Sequence, residues 1–491
     1  MFEQRDIDFR ANYPVTVLIA SGLLIVMLFA NGRTTAAEIS QKPAGTAVSP
    51  SGWRTYLKPF AADSLWNSRP VAPVLGEFVI PKSDYFPAVS EGVWSTGVFL
   101  SGAGDGPVTV TGRPGSKGVW FPDAEAFHDV TIPRWPPDVV PAAALDGHAD
   151  LVDPISGIVH SFYQLKNLDG RWVAAQYAWT RIDGSGWGDP AHYFQGARAA
   201  AVPSMGGLIR KHEVSDGDSL YRHALAMSLT FNALSAKPPY VFPATAADHD
   251  ATTTNSGKIP EGALMMLPDS FNTQQIANLA LRKVAETLKV YGAYVVDRNH
   301  GTPYFIYVEN GSGFSLHPKG GWNTNAANDL DRIRQALRQV VSVSGWLDGN
   351  GKPYTPENNL GLLSMRGPWR LQSGSVPGVF DTWAQAVVFP ITSTRTVQIN
   401  DTSRGMNPVS WAVPVAGITY RLTAVTTGSA KLAVQLRDRA TGATVFDSGE
   451  LGNGEAATFA WPAQNATLIV QAISGVGGPS SVQGNLVRLG R

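Results

Sequence analysis

The chain has no cysteine among its 491 residues. Disulfides, thiolate nucleophiles, cysteine-ligated zinc and iron–sulfur clusters are excluded together. It also lacks a net charge, with 39 basic residues offset by 39 acidic ones. No global field therefore draws it to nucleic acid, and a polyanion would have to bind through a local basic cleft. Several catalytic signatures are missing too. Ser204 in "VPSMG" has Val202 where a nucleophile elbow needs glycine. "KHEVSD" has no second histidine at helical spacing, and "GNGKPY" lacks the phosphate-loop spacing. "DHDATTTNSGKIPEG" opens like a calcium loop at Asp248, Asp250 and Thr252, but has neither its glycine nor its closing glutamate. An ordinary EF-hand is excluded there, and only an irregular calcium site stays open.

One long apolar run is present, at residues 13–30. It approaches the length of a membrane span. Thr35 and Ala37 follow at positions a signal peptidase accepts, so residues 1–37 read as a cleaved signal peptide, with an uncleaved inner-membrane anchor through residues 13–30 as the alternative. Either way, the mature chain is expected outside the cytoplasm, in the periplasm or secreted. A Pro/Gly/Ser linker at residues 38–52 leads into the folded body.

The body is expected to be mainly β with a few helices. Gly and Pro are abundant, and turn signals such as "GRPGSKG", "DPISG" and "NLDG" recur about every ten residues from 53 to 240. This spacing suggests a jelly-roll or β-sandwich core domain over residues 53–391. Two helical stripes interrupt it, Ile276–Leu279–Ala280–Val284–Leu288 and Leu330–Ile333–Leu337–Val340–Val341, each reading as a core face. "AYVVDR" after the first reads as a strand. From residue 392 to 491 the chain alternates apolar and polar residues, as in "YRLTAVTTGSAKLAVQLRD", and predicts a second, C-terminal β-sandwich.

Chemistry-bearing residues concentrate in the body: seven of the nine histidines lie between His128 and His249. In "DGHADLVDPISGIVHSFYQ", strand alternation puts His148 and Asp150 on an outward face opposite Leu151, with a turn at 153–157. His160 and Tyr163 on the return strand fall on opposite faces. In "GGLIRKHEVSDGDSLYRHALAMSLTF", the turn "SDGD" is expected to join two strands, one carrying Arg210 and Glu213, the other carrying His223 in an apolar row. Glu213 and Asp150 form a candidate acid/base pair, with Asp248 as substitute. Arg210, His223, His148 and Tyr163 would instead suit a lyase, in which a cation neutralises a uronate and His or Tyr removes a proton. A zinc site on His148, His223 and Asp248 is a third arrangement. Each set has a bland counterpart: a solvated sheet face, a core histidine, an exposed salt-bridged hairpin. Interleaved aromatics, among them Trp179, Trp187 and Tyr193, suit stacking on sugar rings.

The runs "DGHADLVDP", "GGLIRKHEVSDGDSLYRHALAMSL", "YVFPATAADHD" and "IPEGALMMLP" resemble a group of secreted bacterial proteins of polysaccharide-rich cell envelopes, over residues 146–297. The resemblance implies export and assigns no activity. The C-terminal segment resembles the β-sandwich modules appended to secreted carbohydrate-active enzymes. Together these features predict an exported protein that cleaves an extracellular polysaccharide as a glycoside hydrolase or polysaccharide lyase, without an obligatory cofactor. The alternative is a non-catalytic polysaccharide-binding or envelope-assembly protein.

Overall fold

Turn chemistry and buried alternation build the first sheet. In the computed structural model, which describes residues 52–317, 321–357, 360–402, 406 and 409–490, Asp153 Oδ1 accepts hydrogen bonds from the backbone N–H of Ile155 and Ser156, and Gly157 takes φ +71°. This turn pairs Ala149–Asp153 with Ile158–Tyr163, Leu151 opposite His160 and Asp150 opposite Ser161. The six-stranded sheet runs Gly97–Leu100, Ala149–Asp153, Ile158–Tyr163, Gln176–Arg181, Val119–Phe121, Ala126–His128. The apolar run at 13–30, and nearly all of the linker, lie outside the described residues. Among the described residues no helix is long and apolar enough to cross a membrane.

Both faces of this sheet are covered. Ala149, Leu151, Phe162 and Tyr177 enter one core with Phe99 and Val110, while Val152 and Val159 enter another with Val98, Met205 and Tyr294. The outward face expected for His148 and Asp150 is therefore absent: both are buried, at 2% and 0% exposure. Alternation separates the two faces correctly, but it does not reveal that the second face is covered by another sheet.

That covering sheet has seven strands: Val74–Leu75, Arg338–Ser342, Leu264–Met266, Ala293–Asn299, Leu225–Thr230, Tyr304–Tyr307 and Ala88–Ser90. One side presents Ala226, Tyr294 and Val296 to the first sheet. The other packs Leu225, Met227 and Val295 against two helices. Leu279–Val290 starts where the Asn278 side chain accepts from Leu281 N–H, and ends at Gly292, with φ +74°. Its buried face is Leu281, Val284, Ala285 and Leu288, while Leu279 at its first turn is exposed. Each of the buried Leu and Val side chains contributes about 1.5–3 kcal/mol. Thr324–Ala336 is capped by Asn323 and buries Leu330 and Ile333. Val340 and Val341 lie on the strand that follows, not on the helix. The expected strand at "AYVVDR" forms as Ala293–Asn299.

The segment expected to be a hairpin around "SDGD" folds otherwise. Lys211–Glu213 is a single 3₁₀ turn, and the strand begins at Leu225, beyond His223. A capping box accounts for this, with the Glu213 side chain accepting from Arg210 N–H at 2.9 Å.

The C-terminal sandwich packs two five-stranded sheets, in the orders Arg370–Ser373, Val397–Asn400, Ala466–Ile473, Lys431–Asp438, Thr444–Asp447 and Val379–Asp381, Ala386–Phe389, Ser480–Arg488, Thr419–Thr427, Ala456–Ala460. Three of these strands precede residue 392. The sandwich has its own core. Arg366 ties it to the body: its guanidinium donates to Pro122 and Asp123 carbonyls and to Glu125, and lies 4.4 Å over the Tyr193 ring. Trp411 adds a bond to the Ala244 carbonyl at 2.7 Å.

Candidate functional site

Arg198 occupies the centre of a polar cluster at the edge of the core between the two large sheets. It is held there by a tight loop. Arg198 N–H donates to Val202 O, Ala201 N–H donates to Arg198 O, and Ala200 N–H donates to Val296 O at 3.0 Å. A Cβ at Gly196 would overlap backbone atoms of Val202 and Pro203, so the loop needs glycine at this close approach. The Val296 bond places Arg198 beside Asp297, and Nη1 reaches Asp297 Oδ2 at 3.3 Å. The guanidinium also lies 3.9 Å over the Tyr307 ring and donates to the Trp94 carbonyl at 3.4 Å. Its Nη2 is buried and has no hydrogen-bond partner among the described residues.

Asp297 owes its position to a bulge. The ladder pairs Met227 with Val295 and Ser228 with Asp297, skipping Val296. Regular alternation would have sent Asp297 to the helix side with Val295; the extra residue re-aims it. Asp146, Asp248 and Glu261 surround the same region electrostatically. Burial raises the pKa of Asp297, Arg198 opposes this, and Asp248 and Asp146 reinforce it, to about 7. Burial likewise raises Asp146, against the pull of Arg198 and a hydrogen bond with Tyr163. Tyr163 itself is pushed up to about 12 by burial and by Asp146. Glu261 is fully buried, and burial and then Asp248 push its pKa well above the ordinary carboxylate range. Glu261 Oε1 accepts from Asp248 N–H at 3.2 Å, while Glu261 Oε2 and Asp248 Oδ2 are buried without a hydrogen-bond partner among the described residues.

His148 and Asp150 lie on the sheet face turned toward this cluster. Burial and then Arg198 drive the His148 pKa far down, leaving it neutral, with Nδ1 unpartnered. Its ring centroid is 5.6 Å from that of Tyr163. Asp150 Oδ2 accepts from Met205 N–H at 2.7 Å, and burial raises the group to about 6. Of the residues singled out in the sequence, His148, Tyr163 and Asp248 thus join one cluster, with Asp150 behind them.

Arg210, Glu213 and His223 form a different network. Glu213 Oε2 is 3.2 Å from His223 Nε2, and Arg210 Nε is 2.8 Å from Glu309 Oε2. Burial works against the Glu213 charge, but His223 and the Arg210 N–H bond lower its pKa to about 2. His223, also disfavoured by burial, is raised above its ordinary value by Glu213. The Glu213 carboxylate is thus held in its charged form by His223, and the Arg210 guanidinium is already paired with Glu309 and is 3% exposed. These residues form a structural ion-pair network.

The other expectations resolve similarly. Trp187 stacks on Trp66 at 4.4 Å and is buried, so its ring is closed to a sugar. Trp179 and Tyr193 are buried as well. Arg298 occupies the loop considered for calcium, pairing with Asp250 at 2.7 Å and approaching Asp248 at 3.9 Å. No metal-binding group of three His, Asp or Glu is found among the described residues, so the zinc set of His148, His223 and Asp248 is not assembled. Asp146, Arg198, Glu261 and Asp297 were missing from the sequence-derived catalytic set. Asp146 was within reach, as the first residue of the "DGHADLVDP" run.

No family model matches the chain, and no curated protein matches it either. Among solved structures, it is similar to a glycosylation-associated protein complex, Gap123, of Streptococcus agalactiae, at 12% identity over 25% of this chain and 45% of that one, with TM-score 0.18. The enzymatically active domain of a bacteriophage CBA120 tailspike protein matches at 14% identity over 25% and 19%, TM-score 0.18. The chain thus spans less than half the length of either. A carbohydrate-binding module in complex with β-1,4-galactotriose matches at 13% identity over 25% and 89%, TM-score 0.17. At these TM-scores the likenesses are no guide to activity.

Proposed function

We propose that this is an exported glycoside hydrolase whose active site is the carboxyl cluster around Arg198, acting on a neutral or amino-sugar polysaccharide. One observation carries the reading: Asp297 and Asp146 gather at a buried guanidinium, that of Arg198, which keeps an unpartnered N–H. Glycoside hydrolysis needs one carboxylic acid and one carboxylate flanking the scissile bond. Asp297, poised near neutrality, is the general acid, and Asp146 is the carboxylate. Glu261 stays protonated and steadies Asp248, while Arg198 and Tyr163 orient the pair. Export is supported by the apolar run at 13–30.

The charge balance favours this chemistry over a lyase. Arg198 already faces Asp146 and Asp297, and Arg298 is engaged by Asp250. Both guanidiniums therefore already face carboxylates, and the surrounding carboxylates repel a uronate. The test is reducing-end release from neutral, amino and uronate polysaccharides by the wild type, Asp146→Asn and Asp297→Asn. Release from a neutral or amino substrate, lost in both variants, supports the reading. Binding of a polysaccharide without any release would make the protein a polysaccharide-binding one instead.

A further inference from the structure

The turn before the six-stranded sheet carries an exposed tryptophan on an unusually well-anchored backbone. Trp94 is 49% exposed, and no described aromatic ring packs on it. Gly92 N–H donates to Asn310 Oδ1 at 2.8 Å, Ser95 Oγ donates to Val308 O at 2.6 Å, and Asn310 N–H donates to Thr96 O at 2.9 Å. Val308 and Asn310 follow Tyr307, whose ring lies under Arg198, and Arg198 itself donates to the Trp94 carbonyl. From the other side, Ala144 N–H donates to Val93 O at 3.1 Å. This brings Leu145, 64% exposed, and Val93, 48% exposed, next to the Trp94 turn. Leu145 directly precedes Asp146. An apolar rim is thus rigidly fixed to the guanidinium and to a carboxylate of the cluster.

We propose that Trp94, with Val93 and Leu145 beside it, is a sugar-binding platform at the lip of the cluster, taking the apolar face of a neutral pyranose in a polysaccharide chain. Exposing a large ring on an over-anchored turn gains no folding stability, whereas a rigid platform binds a ring face at low entropic cost. Stacking suits the C–H face of a sugar, and the adjoining Asp146 disfavours a uronate. The proposal rests on the hydrolase reading for the neighbouring chemistry, but stacking and hydrolysis fail separately.

The experiment is affinity electrophoresis of the full chain through gels containing hydroxyethylcellulose, soluble galactan or polygalacturonate, with reducing-end release measured in parallel. Wild type, Trp94→Ala, Trp94→Phe and Asp297→Asn are compared. Retention in a neutral gel, weakened about tenfold by Trp94→Ala and mostly restored by Trp94→Phe, is expected. Asp297→Asn should stay retained while releasing no ends. If Trp94→Ala is retained like wild type, the platform is refuted, and the cluster reading stands wherever ends are released. If retention depends on Trp94 but wild type releases nothing, the platform stands and the hydrolase reading falls. Retention by no neutral gel, or a Trp94→Ala effect confined to self-association in sedimentation, overturns the platform.

Discussion

Replacing Glu213 with glutamine separates the structural network from the proposed active site. The carboxylate balances a mostly buried His223 at 3.2 Å, both side chains being 15% exposed, and caps the 3₁₀ turn through Arg210 N–H. Glutamine keeps an acceptor for that N–H but leaves the imidazolium uncompensated. Removing one partner of a buried pair costs roughly 3–5 kcal/mol, and the residual exposure places this site near about 3 kcal/mol. The pH dependence has a definite sign. Glu213, lowered from 4.5 to about 2, contributes stability that is present above 4.5 and lost as pH falls through about 2. His223, raised above 6.5, contributes stability that is present below 6.5 and lost as pH rises through its folded value. The full penalty therefore belongs between these limits, and should shrink once pH has risen past the folded value of His223, where only a hydrogen bond from the neutral imidazole to the carboxylate is lost. Urea unfolding of both proteins at about pH 5.5 and about pH 9 measures it. An equal penalty at both pH values would refute the ion-pair account. A stable variant that has lost polysaccharide cleavage would return Glu213 to the active site.

Other expectations follow from the same contacts. A fragment of residues 360–491 should fold alone, whereas 392–491, lacking three sandwich strands, should be unfolded by circular dichroism. Arg366→Ala removes three hydrogen bonds and a stacking contact at the seam, and should lower the Tm, with the sandwich becoming sensitive to proteolysis first. Asp150, raised from 3.8 to about 6, favours its protonated form in the fold, so its contribution to stability declines as pH rises through that interval. Asp150→Asn, which can still accept from Met205 N–H, should flatten that part of the stability profile. Gly196→Ala should disorganise the Arg198 loop and abolish cleavage while leaving the sandwich intact.

Much of the architecture is legible in the sequence because turn residues and alternation act locally. The Asp153–Gly157 turn, the strand at "AYVVDR", both helices and the alternating C-terminal strands follow from such signals. Burial on two sides does not. Asp150 looks solvent-facing because the central strands of the sheet that covers it come from residues 225–307, far along the chain. Asp297 escapes because a bulge at Val296 reverses its face, and Arg198 because nothing local marks a loop that docks on Val296. Conversely, Glu213 and His223 resemble an acid–base pair in composition, and only their 3.2 Å contact reveals mutual neutralisation. Histidine density points to residues 128–249, whereas the proposed acid, Asp297, lies on a strand whose sequence reads only as structural.

The most direct test of the central claim is reducing-end release from a neutral polysaccharide by Asp297→Asn beside the wild type, measured across pH. Wild-type cleavage should decline as pH rises through about 7, where Asp297 loses its proton. Asp297→Asn should be slower by roughly 10²–10⁴-fold while remaining folded. Cleavage by Asp297→Asn at the wild-type rate, with the same pH profile, would contradict the assignment of the Arg198 cluster as the active site.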